Sequence, residues 1–332
     1  MTAPLIEVED LAVTYRNRGR RSVLAVDGVS LAVDRGRTLG LVGESGSGKS
    51  TIGSVMLGLV APSQGRVSLD GRPASWRTRA ERAGLARRVQ AVFQDPFGSM
   101  NPTRKIGQTM TEMLRYNLRL SPAAVAERVE RALTDVGMRT EALDRYPSQF
   151  SGGQLQRLAI ARALVVEPDF VVCDEAVSSL DLSVQAQVIN LLAGLAKARG
   201  LAYLFISHDL TVVTHLSDQV AVLYAGQVVE LGPAAAMADH PRHPYTQALV
   251  LAAPIPDPAA QAARRASRWS RAGSGRPGSA GIGSGSPPAT TGCRWAPRCP
   301  FAVEQCRLSR PDLLERTPGW SVACHVTPPD SE

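Results

Sequence analysis

A glycine-rich loop, Gly-Glu-Ser-Gly-Ser-Gly-Lys-Ser, occupies residues 43–50 and limits the folds that this chain can adopt. It follows an apolar run at 39–42 and precedes a helical pattern at 51–59. A strand, a glycine-rich loop and a helix in this order cradle phosphate, because the loop N–H groups turn inward and the helix N-terminus adds positive charge. Lys49 would reach the β- and γ-phosphates, and the Ser50 hydroxyl would coordinate Mg²⁺. The pattern therefore predicts nucleotide binding rather than a plain Gly/Ser turn.

Short apolar runs alternate with helical patterns along residues 1–256. Ser121-Pro122 is a cap followed by a first-turn proline, which with Gly137 as a stop predicts a helix at 122–136; another is predicted at 184–197. Strands that alternate with helices favour a mostly parallel sheet covered on both faces. The predicted strands are residues 6–13, 38–42, 170–173 and 201–207.

Composition narrows the class of protein. No stretch of the 332 residues reaches the roughly 18–20 uninterrupted apolar residues of a membrane helix. The opening, residues 1–13, lacks the features of a secretory signal, so we expect a cytosolic protein whose membrane role depends on a partner. The net charge is +7. However, the basic residues are spread out without interleaved aromatics, so no nucleic-acid partner is expected.

A change of character near residue 257 divides the chain. Residues 273–288 are almost only Gly, Ser and Pro, a composition that cannot bury enough surface to order itself. We therefore predict an α/β domain at 1–256, a linker at 257–291 and a short cysteine-bearing tail at 292–332. A tail behind such a linker is expected to leave the chemistry of the nucleotide site largely intact.

The tail holds Cys293, Cys299, Cys306 and Cys324, while Cys173 lies in an apolar run and is expected in the core. In a reducing cytosol four clustered cysteines indicate metal rather than disulfides. The close pairs of a zinc ribbon are missing, and four thiolates on an irregular loop suit an iron–sulfur cluster. Zinc and free thiols remain the alternatives.

Asp174-Glu175 follows the predicted strand at 170–173. Asp174 can hold Mg²⁺ or its water shell, and Glu175 can polarise the water that attacks the γ-phosphate. An Asp-Glu pair alone often just marks the end of a strand. Together with the phosphate loop it predicts hydrolysis.

Residues 150–157, Phe-Ser-Gly-Gly-Gln-Leu-Gln-Arg, precede a helix-like run. Ser-Gly-Gly-Gln at the start of a helix resembles the signature of the ABC ATPase family, and the resemblance covers residues 5–250. It implies a P-loop NTPase fold, the ABC cassette, with a mostly parallel core sheet, an antiparallel β subdomain and a helical signature subdomain. Two departures occur: Ala176 replaces the usual proline and Ser179 the usual alanine. Neither removes a catalytic group.

The resemblance also implies roles for single residues. Tyr15 matches the adenine-stacking aromatic, Gln94 the Q-loop glutamine, residues 178–181 the D-loop and His208 the switch histidine. Read singly, Tyr15 is an ordinary strand aromatic and His208 a structural histidine. The catalytic set is Glu175, His208 and Gln94. The Mg²⁺ set is Ser50, Gln94 and Asp174. The nucleotide-binding set is Tyr15, Gly43, Ser45, Gly46, Gly48, Lys49, Ser50, Thr51, Gln94, Asp174, Ser151, Gly152, Gly153, Gln154 and Asp181.

Two segments resemble the peptide-importer subfamily, specifically its second ATPase subunit. They are residues 173–192, and His-Pro-Tyr-Thr-Gln-Ala-Leu at 243–249 followed by Pro-Ile-Pro-Asp-Pro at 254–258. The resemblance implies ATP-driven import of di- or oligopeptides and a 4Fe–4S cluster on the four tail cysteines. Nickel or another small solute is the alternative within this subfamily. A soluble ABC-type ATPase acting on nucleic acid or ribosomes is disfavoured, since the chain shows neither two cassettes nor a coiled-coil insert. A non-catalytic sensor is disfavoured by Glu175 and His208.

The resemblance also implies partners. In the family, the signature of one subunit closes over ATP held by another, and this chain has one phosphate loop and one signature. It therefore needs a second ABC ATPase subunit, a paralogue or a second copy. Two transmembrane permease subunits and an extracytoplasmic solute-binding protein complete the expected complex, with this chain on the cytoplasmic face of the membrane.

Overall fold

The computed structural model describes residues 3–16, 22–75, 78–252 and 291–326. The predicted linker at 257–291 lies outside these residues except for its last position, so that assignment stays a prediction. The chain divides into two compact units. The first comprises Met1–Leu11, Ser30–Thr38 and Ser50–Ile206; the second comprises Ala12–Val29, Leu39–Lys49 and Ser207–Glu332.

Strands and helices alternate as predicted. The described strands are β1 Ile6–Tyr15, β2 Val23–Val33, β3 Thr38–Val42, β4 Gln64–Leu69, β5 Arg72–Pro73, β6 Val89–Phe93, β7 Phe170–Asp174, β8 Ala202–Ser207, β9 Gln219–Tyr224, β10 Gln227–Pro233, β11 Leu314–Thr317 and β12 Trp320–Val322. The described α-helices are α1 Lys49–Met56, α2 Arg79–Arg88, α3 Ile106–Met113, α4 Pro122–Asp135, α5 Gly152–Leu164, α6 Leu182–Arg199, α7 Leu210–Leu216, α8 Ala234–Met237, α9 Pro244–Ala252 and α10 Glu304–Leu308. A π-helical turn spans Leu114–Leu118, and 3₁₀ turns span Thr140–Asp144, Pro147–Gln149 and Ala296–Arg298.

In the first unit, β7 lies between β6 and β8, and both pairings are parallel. Because β7 is covered on both faces, its sequence is a continuous apolar run rather than an alternating one. Phe170 and Cys173 are fully buried. Phe93 pairs with Asp174, so the carboxyl ends of β6 and β7 meet at the same edge of the sheet.

The first unit also contains an antiparallel part and helices. The described segments of β2, β1, β4 and β5 lie side by side in that order, with β4 antiparallel to β5. The α4 prediction is confirmed to within one residue: Ser121 caps the helix by accepting from the backbone N–H of Ala124 at 3.3 Å, and Pro122 occupies its first turn. Val125, Val129 and Leu133 bury one face of α4.

In the second unit, the strand order is β3, β9, β10, β12 and β11. β3 pairs with β9 in parallel, and β9 turns back into β10 at Ala225-Gly226. β12 pairs with β10, where Glu230 lies opposite Val322. The described part of the tail therefore extends the sheet of this unit. Over the residues that the structure covers, no helix is long and apolar enough to cross a membrane.

Candidate active site

The phosphate-binding loop follows β3, and its residues 43–49 lie in the second unit. The Lys49 side chain is buried, and its ammonium donates to the carbonyl oxygens of Gly43 and Glu44, both at 2.8 Å. The Ser47 hydroxyl lies 3.5 Å from the same nitrogen. A positive charge is thus fixed inside the loop, which is the arrangement that a triphosphate requires.

Glycine is required in this loop because other backbone lies against it. Gly48 has φ of +105°, and a Cβ there would lie 2.5 Å from the Ala25 carbonyl oxygen. A Cβ on Gly43 would lie 2.1 Å from the carbonyl oxygen of Leu223. Both distances are far shorter than real contacts, so the loop owes its shape to its neighbours as well as to its own composition.

In the first unit, the predicted Mg²⁺ residues gather where β6 and β7 end. The Ser50 hydroxyl donates to Asp174 Oδ1 at 3.0 Å. Gln94 directly follows β6, whose last residue pairs with Asp174. A hydroxyl, a carboxylate and an amide are oxygen donors of the kind that Mg²⁺ prefers, so the donor set fits this ion.

Glu175 occupies an unusual backbone conformation, with φ of +49°. Its N–H donates to the Ile206 carbonyl at 3.0 Å, and its own carbonyl accepts from the Ser178 N–H at 3.1 Å. Non-glycine residues with positive φ are uncommon, and they concentrate at active sites where surrounding contacts hold them in place. Two main-chain hydrogen bonds therefore hold Glu175 in place in the turn that follows β7.

Ser179, where the family usually has alanine, has a contact of its own. Its hydroxyl donates to the Gln94 carbonyl oxygen at 3.0 Å. This hydrogen bond joins the D-loop to the Q-loop across 85 residues of sequence. The sequence alone gave no reason to expect it.

The signature begins α5 with a reciprocal cap. Ser151 Oγ accepts from the Gln154 N–H at 3.4 Å, and Gln154 Oε1 accepts from the Ser151 N–H at 3.1 Å. A Cβ on Gly153 would lie 2.4 Å from Val184 Cγ1, so α5 and α6 start close together. Asp181 caps α6 by accepting from the Val184 N–H at 3.0 Å, and its backbone and side-chain hydrogen bonds lower the pKa of this carboxyl.

The remaining predicted residues are distributed over both units. Tyr15 ends β1 with 41% of its surface exposed, and His208 follows β8 on an exposed turn; both belong to the second unit. Thr51 lies in α1 of the first unit. Gly46 and Ser45 lie in the phosphate loop, and Gly152 is the first residue of α5.

Residues 243–249, which resemble the peptide-importer subfamily, begin next to a buried carboxylate, that of Glu230. Glu230 is fully buried, and its carboxylate accepts from the backbone N–H groups of Arg242 at 2.8 Å and His243 at 2.9 Å. Trp320 Nε1 donates to the same carboxylate at 2.9 Å. The segment that leads into α9 and strand β12 of the tail therefore both hydrogen-bond to the buried carboxylate of Glu230.

His243 predicts a pH dependence of stability. Its Nδ1 accepts from the Tyr245 N–H at 3.0 Å, and burial lowers the pKa of the imidazole from 6.5 to about 3. The unfolded chain binds the proton below pH 6.5 and the folded chain does not, so stability falls as pH drops through this window. We expect about 2 kcal/mol to be lost from His243 alone between about pH 7.5 and pH 5. Urea unfolding at several pH values measures it.

His243→Gln keeps an acceptor for the Tyr245 N–H but does not titrate. Over the same pH window, the free energy of unfolding of this variant should fall by about 2 kcal/mol less than that of the parent. An unchanged slope would show that His243 is not the group responsible.

The four tail cysteines lie close enough for their charges to interact. Cys306 and Cys324 are buried, and the Cys293 N–H donates to the Cys306 carbonyl at 2.7 Å. Burial raises the pKa of the Cys299 thiol to about 12, and the negative charge of the other three thiols acts in the same direction. Among the described residues, no three His, Cys, Asp or Glu side chains form a group that could hold a metal ion. Cys173 is fully buried in β7, as predicted.

Known proteins with similar sequences are ATP-binding proteins of ABC transporters. The ABC transporter family matches residues 26–178, and the C-terminal region of oligopeptide/dipeptide transporters matches residues 229–306. A probable peptide ABC transporter ATP-binding protein from Sinorhizobium fredii is 46% identical over 92% of this chain and 84% of its own length. A putative oligopeptide transport ATP-binding protein from Bacillus subtilis is 42% identical over 97% of this chain and 95% of its own.

Solved structures show the same fold. CbiO1 from Clostridium perfringens, part of the ABC transporter complex CbiONQ, superposes with a TM-score of 0.63 at 28% identity, covering 70% of this chain and 89% of that one. MJ0796, described as a bacterial ABC transporter cassette, superposes with a TM-score of 0.62 at 25% identity, covering 69% and 98%. These likenesses confirm the predicted cassette fold. This chain belongs to the ATP-hydrolysing, ATP-binding subunits of ABC transporters, in the group that carries the oligopeptide/dipeptide transporter C-terminal region.

Proposed function

We propose that this chain hydrolyses ATP to drive the import of di- or oligopeptides through a membrane ABC transporter. One observation carries the chemistry: Lys49 is held within the phosphate loop, and the next residue, Ser50, bonds to Asp174 at 3.0 Å. The residue after Asp174 is Glu175. The chain thus supplies the three kinds of group that ATP hydrolysis needs: a cation that binds phosphate, ligands for the metal ion and a base. The peptide substrate is inferred from the names of the relatives.

The roles of the residues follow from their chemistry. Lys49 and the loop N–H groups hold the phosphates, and Tyr15 stacks on adenine. Ser50, Asp174 and Gln94 would hold Mg²⁺, which offsets charge on the phosphate oxygens when bound. Glu175 polarises the attacking water. His208 contacts the γ-phosphate.

The capped start of α5 supports pairing with a second ABC ATPase subunit. A helix N-terminus with an exposed serine and two glycines is a phosphate-binding element, yet the phosphate loop of the same chain already serves that purpose. We infer a head-to-tail pair, with a paralogue or a second copy, in which residues 151–154 of each subunit close over the ATP of the other.

The wider complex follows from the family. Two transmembrane permease subunits receive the work of hydrolysis, a solute-binding protein outside the membrane delivers the peptide, and this chain lies on the cytoplasmic face. Residues 95–102, which follow Gln94, are the proposed permease contact. Within this segment the Ser99 hydroxyl donates to the Pro96 carbonyl at 2.8 Å, and the Ser99 carbonyl accepts from Arg162.

A crosslinking experiment tests this function. In cells, a cysteine at Ser99 carrying a short crosslinker should capture a cytoplasmic loop of a permease subunit, identified by mass spectrometry. The unmodified chain controls for its five natural cysteines. Ala198→Cys, at an exposed position on α6, is the matched control and should give a different product. Capture of ribosomal protein or nucleic acid through position 99 would favour a soluble ABC-type ATPase that acts on nucleic acid or ribosomes.

We further propose that Cys293, Cys299, Cys306 and Cys324 ligate one 4Fe–4S cluster. Cys293, Cys299 and Cys306 lie at the end of the region shared with oligopeptide/dipeptide transporters, residues 229–306, and the Cys293 N–H donates to the Cys306 carbonyl at 2.7 Å. A single zinc ion would need its sulfurs about 2.3 Å from one point, closely grouped around it. Four thiolates on an irregular loop, without the close pairs of a zinc ribbon, suit an iron–sulfur cluster instead.

The metal content of purified protein tests the cluster. Protein prepared without oxygen should be brown, absorb broadly near roughly 400 nm and contain about four irons per chain. Cys306→Ser should lower the iron content and bleach the band, whereas Cys173→Ser should do neither. Colourless protein with about one tightly bound zinc would overturn the assignment.

A further inference from the structure

Within the tail, the segment 294–298 between Cys293 and Cys299 contacts the phosphate-binding loop. The side chain of Arg298 is only 5% exposed, and its guanidinium donates to both carboxylate oxygens of Glu44. The Nη2–Oε1 distance is 3.1 Å and the Nη1–Oε2 distance is 3.3 Å. Glu44 is the second residue of the loop. An arginine fork of this kind fixes the orientation of the carboxylate as well as its position.

Aromatic rings hold the arginine in place. The rings of Tyr224, Tyr245 and Trp295 lie 4.7–5.1 Å apart, and the Arg298 guanidinium lies 4.4 Å from the centre of the Trp295 ring. The Tyr245 hydroxyl also accepts from the backbone N–H of Glu44 at 2.9 Å. Glu44 is therefore held through both its backbone and its side chain by residues outside the loop.

Arg294 braces the other end of the loop. It donates to the Ala225 carbonyl and pairs with Asp27. The next residue after Ala225, Gly226, donates its N–H to the Ser47 carbonyl at 2.8 Å. One short segment of the tail thus supports the loop at Glu44 directly and at Ser47 through a turn.

We propose that residues 294–298 position the phosphate-binding loop for ATP, with Arg298 as a positioning residue that acts through Glu44. The inference rests on the proposed ATP-binding function. Glu44 brings a negative charge into a loop that receives negatively charged phosphates, and Arg298 offsets this charge and holds it in one place. Without Arg298 the carboxylate lacks this partner and the loop loses one of its supports. Through Arg298, the tail therefore raises the affinity of the phosphate-binding loop for ATP.

The tail has separate attachments that do not involve Arg298. β12 pairs with β10, the Ala323 N–H donates to the Val229 carbonyl at 2.9 Å, and Trp320 bonds to Glu230. A substitution at Arg298 should therefore release the loop without undocking the tail. This separation makes the proposal testable.

The test compares Arg298→Gln with the parent, both as full chains. Calorimetry should show the dissociation constant for ATP raised at least about tenfold, because one partner of a partly buried charge pair has been removed. Hydrogen exchange without nucleotide should become faster in residues 43–49 and stay unchanged in 227–233. Arg307→Gln removes the same charge from an exposed tail position and should change neither quantity. Arg298→Lys should restore part of the affinity, since it keeps the charge but loses the fork.

A double-mutant cycle with Glu44→Gln isolates the pair. Arg298→Gln should have a smaller effect in the Glu44→Gln background than in the parent, because the charge to be offset is gone. The proposal is overturned if Arg298→Gln binds ATP within about twofold of the parent. It is also overturned if exchange rises in 227–233 as well, since Arg298 would then only dock the tail. A parent chain that binds no ATP would instead refute the proposed function.

Discussion

Replacement of Glu175 by glutamine should lower ATP turnover by about 10²–10⁴-fold while ATP still binds. The amide keeps the shape of the side chain but cannot accept a proton from the attacking water. The backbone contacts of Glu175 with Ile206 and Ser178 involve main-chain atoms and should survive the change. Steady-state hydrolysis in the assembled transporter, with ATP binding measured in parallel, gives the result.

Glu141→Gln is the matched control, because it removes an exposed carboxylate from the same unit. It should hydrolyse ATP like the parent. If Glu175→Gln turned over within about twofold of the parent, Glu175 would lose its assigned role and the base would have to be sought elsewhere.

Replacement of Lys49 by alanine should act on binding rather than on turnover alone. The ammonium is buried and bonds to two loop carbonyls, so the variant loses the charge that would face the phosphates and also the contacts that shape the loop. Loss of charge-assisted contacts worth about 3 kcal/mol corresponds to roughly 10²-fold weaker ATP binding. Calorimetry with ATP and Mg²⁺ measures this directly.

Lys197→Ala, at an exposed position on α6, removes the same charge away from the loop and should bind ATP normally. Thermal melting without nucleotide separates loss of binding from loss of folding. Lys49→Ala protein that is folded and binds ATP within about threefold of the parent would contradict the assignment of the phosphate loop.

The local features of the fold were predictable because they depend on a few consecutive residues. β3 covers the predicted 38–42, and α4 begins at Pro122 after the Ser121 cap. The apolar run at 170–173 predicted a strand, and β7 covers it. The glycine-rich loop followed by Lys49 likewise predicted a phosphate cradle. In each case the physical cause lies within one strand, one turn or one helix cap.

The contacts of the tail could not be predicted in this way. A cysteine-bearing tail behind a Gly/Ser/Pro-rich stretch is expected to leave the nucleotide site largely unaffected. The structure instead places Arg298 on Glu44, 254 residues away in sequence, and Arg294 on Asp27, 267 residues away. An arginine in a sequence is by default a solvated charge, and only its tertiary neighbours show whether it is buried.

The site contains residues that carry the chemistry and residues that hold the phosphate loop in place. Motif order predicts roles for Lys49, Asp174 and Glu175, because phosphate and metal chemistry demand particular residue types at the ends of strands. Nothing in that chemistry specifies the residues that hold the loop from outside. Tyr245 and Arg298 reach Glu44, and Trp295 packs against Arg298, only because β9, α9 and the tail pack together in the second unit. Local sequence patterns predict which groups bind and cleave ATP. Which groups hold the phosphate loop in position depends on the tertiary structure, because packing joins residues that no local pattern connects.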